Sequence, residues 1–254
     1  MQKATIIVCP DVTTLSRKAA ERFIAIGKSA IAARGQFSVA LAGGSTPETM
    51  YANLASPEML QQLDWTKTFI FMSDERHVLP SDPRSNYGMA LRTLLCKISP
   101  DKRHVFPVPT QHPTAAEAAA AYQRDLTNFF SASPDIRFDL ILLGLGSDGH
   151  TASLFPHSAA LNEKTRLVAD SPPGTLPPPV ERITFTYPLL NAAREILVRV
   201  AGEAKAAPLR RILVDGVGRE ECPAAGLHPS NGTLSYFIDT AAAAMLPSTM
   251  LTKL

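Results

Sequence analysis

Two periodicities alternate along the chain. Short runs rich in β-branched, aromatic and leucine residues recur at Thr5 to Cys9 (TIIVC), Phe37 to Leu41 (FSVAL), Thr68 to Met72 (TFIFM), Phe138 to Leu143 (FDLILL), Ile183 to Thr186, Ile196 to Val200 and Thr233 to Ile238. Their length and composition predict strands, and runs that are apolar throughout predict burial on both faces. Between them, apolar residues fall at helical spacing. Leu15, Ala19, Phe23, Ile26 and Ala30 line one face of a segment from Thr14 to Ala33. Further helices are predicted from Pro47, from near Ser85, over Ala115 to Phe130, from after Val200 through Leu213, and in a short Ala-rich stretch after Ile238. Strands that alternate with amphipathic helices predict an α/β fold with a mainly parallel sheet and helices on both faces. No internal repeat and no clean linker divides the chain. Residues 1–254 therefore read as a single domain, with room for a small subdomain. Ligands of such sheets bind at the carboxyl ends of strands, so the loops that follow strands are where chemistry is expected.

Composition narrows the options. Of 254 residues, 45% are hydrophobic and 19% charged, which fits a globular chain and excludes a disordered or fibrous one. Lys plus Arg number 25 against 23 Asp plus Glu, a balance that argues against a nucleic-acid partner. Cys9, Cys96 and Cys222 are too few and too widely spaced for a disulfide framework or a CxxC knuckle, and read as reduced thiols. No apolar run reaches 18 residues, so no membrane helix is expected. The opening MQKATIIVCP has too short an apolar stretch for a signal peptide and reads as a strand, so a cytoplasmic location is expected. Pro172, Pro173, Pro177, Pro178 and Pro179 predict an extended surface loop. The histidines outside the third motif below show no HxxxH or HxH spacing, so no zinc site is expected.

Four loops after strands carry the candidate chemistry. In the first, Leu41-Ala42-Gly43-Gly44-Ser45-Thr46-Pro47, a glycine pair and two hydroxyls precede Pro at a helix start. Backbone N–H groups at Gly43 and Gly44 can approach an anion there, with Ser45 as a further donor, although a plain capped turn has the same outline. It lacks the GK[ST] ending of a Walker loop. The second, Ser73-Asp74-Glu75-Arg76-His77-Val78, can set the Arg76 guanidinium over an anionic ligand with Asp74 orienting it; alone, a solvated ion-pair loop explains it as well. The third, Gly144-Leu145-Gly146-Ser147-Asp148-Gly149-His150-Thr151, matches GxGxxG formally. A dinucleotide fingerprint opens a crossover helix in the first βα unit, whereas this motif lies mid-chain and Pro156 soon interrupts it. What it offers is His150 for proton transfer near neutrality, with Asp148 two residues away to orient it. The fourth, Gly202-Glu203-Ala204-Lys205-Ala206, puts Lys205 in the first turn of a helix, where a cation opposes the dipole unless an anion is bound. Arg182, at the entry to the ITFT strand, is a weaker candidate for an anion contact.

Taken together, LAGGSTP (41–47), SDERHV with SNYGMA (73–78 and 85–90), LGLGSDGHTASLFP (143–156), RITFTYPLLNAAR (182–194) and GEAKA (202–206) resemble the short, soluble 6-phosphogluconolactonase family. That family is related to sugar-phosphate isomerases and glucosamine-6-phosphate deaminases, with a Rossmann-related fold. The resemblance spans most of the chain, and GSDGHTASLFP is its most specific block. It implies hydrolysis of 6-phospho-D-glucono-1,5-lactone to 6-phosphogluconate in the oxidative pentose phosphate pathway. It implies no metal or organic cofactor, and a small phosphorylated sugar lactone as the molecule bound. A monomer or weak homo-oligomer is expected, without nucleic-acid or membrane partners. His150 is implied as the base with Asp148 as its partner, and Arg76 and Lys205 as holders of the anionic substrate. Related deaminases read IAFNEP after the GxGxDGH turn; here Leu154 and Phe155 stand where their Asn-Glu pair would be, which argues against amino-sugar chemistry. The alternatives are a deaminase or isomerase of the same fold and a non-catalytic sugar-phosphate sensor, which would need no His150. Tyr236 or Phe237 stands where the family commonly has Trp in its last strand, and Leu79 and Ser81 replace residues usually Pro and Asp.

Overall fold

The computed structural model describes residues 4–98, 104–174, 179–250 and 252–253. The strands in chain order are β1 (Thr5–Cys9), β2 (Phe37–Leu41), β3 (Thr68–Met72), β4 (Asp74–Arg76), β5 (Val105–Phe106), β6 (Leu140–Gly144), β7 (Val168–Ser171), β8 (Arg182–Phe185), β9 (Glu195–Val200), β10 (Thr233–Asp239) and β11 (Thr252–Lys253). One large sheet runs β11-β1-β10-β9-β6-β2-β3-β5, with parallel pairing at every step. The helices are α1 (Val12–Arg34), α2 (Ser45–Leu54), α3 (Pro57–Leu60), α4 (Asn86–Ala90), α5 (Cys96–Ile98), α6 (Ala115–Phe129), α7 (Tyr187–Leu190), α8 (Ala206–Leu213) and α9 (Thr240–Ala243).

The sequence explains these elements locally. Helix α1 starts where the Asp11 carboxylate accepts the Thr14 N–H at 2.7 Å, and stops at Gly35, whose φ of +75° suits glycine. Its buried face includes Leu15, Ala19, Phe23 and Ala30, as the periodicity predicts. Helix α6 opens with a capping box between Thr114 and Glu117. In the centre of the sheet every residue of β2 and β9 is buried, because helices cover both faces. An aromatic cluster fills one side. Phe71 stacks on Phe106 at 4.4 Å and meets Phe129 and Phe138 edge-on at 5.0 and 5.1 Å. At the amino ends of the strands the buried Asp139 carboxylate accepts the Ser38 N–H (2.8 Å), the Ser38 hydroxyl (3.0 Å) and the Arg34 guanidinium (2.9 Å). It ties β2, the approach to β6 and the end of α1 into one corner.

Two local expectations change. The segment after β3 reads as a polar loop, but Asp74–Arg76 forms β4, and Ile183 to Thr186 reads as a strand beside the others, but β8 pairs antiparallel with β4 and β7 in a separate three-stranded sheet. A three-residue polar strand such as β4 has no hydrophobic period to betray it; its partner creates it. Of the proline loop, Pro172, Pro173 and Pro179 are described, while Pro177 and Pro178 lie outside the described residues.

From β6, the strand order runs outward through β2, β3 and β5 on one side and through β9 and β10 on the other. The chain therefore changes direction at β6, and the loops at the carboxyl ends of β2, β6 and β9 diverge there. This is the switch-point crevice in which open α/β sheets bind ligands.

Candidate active site

A cleft of about 260 Å³ opens at that point. All four candidate loops reach it: Gly43 and Gly44 from the turn after β2, Asp74 and Arg76 from β4, His150 from the turn after β6, and Lys205 from the turn after β9. Arg182 of β8 also lines it. Ser45 opens α2 beside the cleft, but its side chain lies outside what is described.

The turn after β6 is shaped by its glycines. The Gly146 N–H donates to the His150 carbonyl at 2.8 Å, which closes the turn and brings positions 148 and 150 to the same side. Gly149 has φ of +89°, and a Cβ there would lie 2.9 Å from the Cys222 sulfur, so both conformation and space call for glycine. A Cβ on Gly146 would lie 2.1 Å from His150 Nδ1. The imidazole therefore sits directly over the glycine backbone. Asp148 Oδ1 lies 2.6 Å from His150 Nδ1 and also accepts the His150 backbone N–H at 3.1 Å. A carboxylate on Nδ1 holds the ring proton there and leaves the Nε2 lone pair available as a base. Burial would raise the Asp148 carboxyl, but the hydrogen bond and charge of His150 outweigh it and hold it below the usual range. The other side of the ring packs on Phe155, with centroids 4.9 Å apart.

Positive charge collects around the same cleft. Helix α2 starts at Gly44, with φ of +102° and no side chain capping its first turn. Its N–H groups and the positive end of its dipole therefore face the cleft, ready for an anion. Lys205 is half-buried and lines the same cleft. Burial lowers its pKa, and the Asp148 charge works against that. Arg76 and Arg182 stand opposite each other across the β4–β8 ladder. Burial lowers the pKa of Arg182, and Arg76 beside it pushes the same way, with Asp74 and Glu75 opposing.

The acids of the DER motif do different work from one another. Asp74 Oδ2 accepts the Ser153 hydroxyl at 2.7 Å, which links β4 to the segment after His150. Buried Glu75 accepts the Asn86 and Tyr87 N–H groups at 2.7 and 2.8 Å and the Ser85 hydroxyl at 3.0 Å. It thus caps the start of α4, and burial pushes its pKa up against the pull of those N–H groups. Asn86 in turn donates to the Asp74 carbonyl at 2.9 Å. A Cβ on Gly43 would lie 1.8 Å from Asn86 Oδ1, which is why the glycine is needed.

Sequence reasoning missed Arg199, Asn86 and Phe155 as lining residues. For Arg199 there was a signal, because an arginine interrupts the otherwise apolar ILVRV of β9. Lys205 is also slightly displaced from expectation. It ends a 3-10 turn (Glu203–Lys205) and precedes the first residue of α8.

A parallel sheet with a cation-lined cleft at its switch point and a histidine–aspartate pair on one wall defines an α/β protein of the sugar-phosphate isomerase type. Residues 10–236 match the family described as glucosamine-6-phosphate isomerases/6-phosphogluconolactonase. The chain belongs to that family. It is 37% identical over 246 residues to 6-phosphogluconolactonase of a Nostoc species, covering 96% of this chain and 99% of that one. It is 38% identical over 222 residues to the human 6-phosphogluconolactonase, covering 84% and 82%. The solved 6-phosphogluconolactonase of Trypanosoma cruzi superposes with a TM-score of 0.86 at 31% identity, over 96% of this chain and 97% of that one. A monomeric glucosamine-6-phosphate deaminase shares the fold, with a TM-score of 0.79 at 21% identity, over 95% and 99%.

Proposed function

We propose that this protein hydrolyses 6-phospho-D-glucono-1,5-lactone to 6-phosphogluconate in the pentose phosphate pathway, with His150 as general base. The observation that carries the reading is the Asp148–His150 pair at 2.6 Å, in one cleft with Arg76, Arg182 and Lys205. Family membership and the lactonases among its relatives support the same activity.

In this mechanism the phosphate binds at the first turn of α2, held by the Gly43 and Gly44 loop, Ser45 and Lys205, with Arg182 as a further anion contact. Anchoring one end of the substrate fixes the lactone carbonyl near His150, so attack becomes effectively intramolecular. His150 Nε2 takes a proton from water as the oxygen of that water bonds to the carbonyl carbon. The resulting oxyanion is stabilised by Arg76, whose guanidinium is held by the Arg84 carbonyl at 2.6 Å and not, as the sequence suggests, by Asp74, which is engaged by Ser153. Collapse breaks the bond to the ring oxygen, which takes the proton back from His150 as it leaves. Asp148 positions the ring and stabilises its charged form. General-base help of this kind is worth about 10²–10⁴ in rate.

Deaminase chemistry is less well served. Leu154 is buried, and Phe155 packs against the His150 ring where a carboxylate would be needed. The substrate is a small polar molecule, and among the described residues no helix is long and apolar enough to cross a membrane. With Cys9, Cys96 and Cys222 all free thiols, this supports a cytoplasmic setting. The deciding assay follows hydrolysis of freshly generated 6-phosphogluconolactone with the spontaneous rate subtracted, for the protein and its His150→Ala variant. Acceleration by the wild type that disappears in the variant is expected. Wild-type acceleration kept in full by the variant removes His150 from the role, and no acceleration by either removes the activity.

A further inference from the structure

Arg199 is the cleft residue to which this mechanism assigns no task. It is 2% exposed on β9 and yet lines the cleft. Its Nη1 donates to the Thr46 carbonyl at 3.3 Å, in the first turn of α2, and its guanidinium carbon lies 5.9 Å from the centre of the Tyr51 ring. Nε and Nη2 are buried without a hydrogen-bond partner in the protein. The group that acts on its charge is the Tyr51 phenol, not a carboxylate, and burial pulls the guanidinium down to about 10.

That arrangement is costly in the empty protein. A buried cation without a counter-ion loses its hydration, and the idle N–H groups of Nε and Nη2 add to the penalty. The positive end of the uncapped ten-residue α2 lies beside it and raises the local potential further. Packing against Tyr51 and one long bond to a carbonyl do not offset this, and a methionine would fill the same space without the charge. A dianionic phosphate at the α2 N-terminus supplies the missing partner. It accepts the idle N–H groups, neutralises the guanidinium and satisfies the helix donors together.

Resting on the lactonase reading, we propose that Arg199 is a buried anchor for the 6-phosphate of the substrate, acting from beneath the first turn of α2, and that it sets the preference for phosphorylated over unphosphorylated lactones.

The test compares the wild type with Arg199→Met and Arg199→Lys on 6-phosphogluconolactone and on unphosphorylated glucono-1,5-lactone, with thermal melts in and without inorganic phosphate. For Arg199→Met, the ratio of kcat/KM between the two substrates is expected to fall roughly 10-fold to 100-fold, chiefly through KM, the range for a lost charged hydrogen-bond partner. Its melt without phosphate is expected to be no lower than that of the wild type, and the rise that phosphate gives the wild type is expected to shrink. An unchanged substrate ratio overturns the proposal. So does a lower melt that phosphate raises as much as it raises the wild type, because that is the signature of a packing role. Should Arg199→Met fail to fold, Arg199→Lys decides: its point charge loses the forked geometry, so the ratio drops by about threefold or more, and an unchanged ratio overturns the proposal. If the wild type accelerates neither lactone, the activity reading fails by itself. A phosphate-induced rise in the wild type that Arg199→Met or Arg199→Lys lacks then still supports the anchor, and no such difference overturns it.

Discussion

Gly146→Ala disturbs the proposed dyad without altering either of its chemical groups. A Cβ at Gly146 would lie 2.1 Å from His150 Nδ1, 2.4 Å from His150 Cε1 and 2.5 Å from Asp148 Oδ1. Favourable contacts of carbon with such atoms lie near 3.5–4.0 Å. The imidazole must therefore move by roughly 1 Å or more, and the Asp148 carboxylate with it. Both are seated on the turn that the Gly146 N–H and the His150 carbonyl close at 2.8 Å, so a shift of the ring cannot be absorbed by a distant flexible chain. Displacements of about 1 Å at a reacting group cost on the order of 10²-fold. With loss of the oriented base added, kcat is expected to fall by about 10²–10⁴, and KM to change less because the atoms nearest the new Cβ belong to His150 and Asp148 and to none of the residues proposed to hold the phosphate. The assay is initial-rate hydrolysis of 6-phosphogluconolactone after subtraction of the spontaneous rate, with a melt to confirm folding. Gly218→Ala is the control, since a Cβ there meets nothing within 4 Å and the residue lies outside the cleft. A folded Gly146→Ala protein with kcat within about threefold of the wild type would refute the argument that His150 must sit where it does.

Two further outcomes are expected. Asp139→Asn replaces an oxygen that now accepts either two Ser38 donors or the Arg34 guanidinium with an amide that donates, and is expected to destabilise the fold by about 2–4 kcal/mol, read as a shift of the denaturant midpoint at unchanged slope. An unchanged midpoint would show that the corner carries no stability. For Lys205, burial lowers the pKa while a bound phosphate favours the charged form, so affinity for 6-phosphogluconate should be full near pH 7 and decline as the pH rises through a value below the ordinary lysine one of about 10.4. Calorimetric titration at a series of pH values, with Lys205→Arg as the variant that stays charged, checks the sign. An affinity equally flat in both proteins over that range contradicts it.

The fold class was legible in the chain because its strands are apolar throughout. Residues such as those of FSVAL and FDLILL can bury both faces only between layers of helix, and the alternation with LSRKAAERFIAIG-type periodicity leaves few topologies. The dyad was legible for a related reason. Asp148 and His150 are neighbours in the chain, and a tight glycine turn needs no distant partner to bring them together. The strand β4 was not legible, because Asp74–Arg76 is polar and becomes a strand only when β8 pairs with it. Nor was the role of Glu75, whose acceptors meet donors 11 and 12 residues away at the start of α4.

The chain by itself determined the parallel sheet and the chemistry of the turn after β6, because those rest on periodicity and on contacts between near neighbours. Tertiary structure alone decided that the loops after β2, β3, β6 and β9 share one cleft, and that an arginine within an apolar strand ends beneath the N-terminus of α2. Thr46 and Arg199 are 153 residues apart, and only the strand order around β6 brings them within 3.3 Å. Burial then gives that charge its energetic weight, since the same guanidinium on an exposed strand would be satisfied by water.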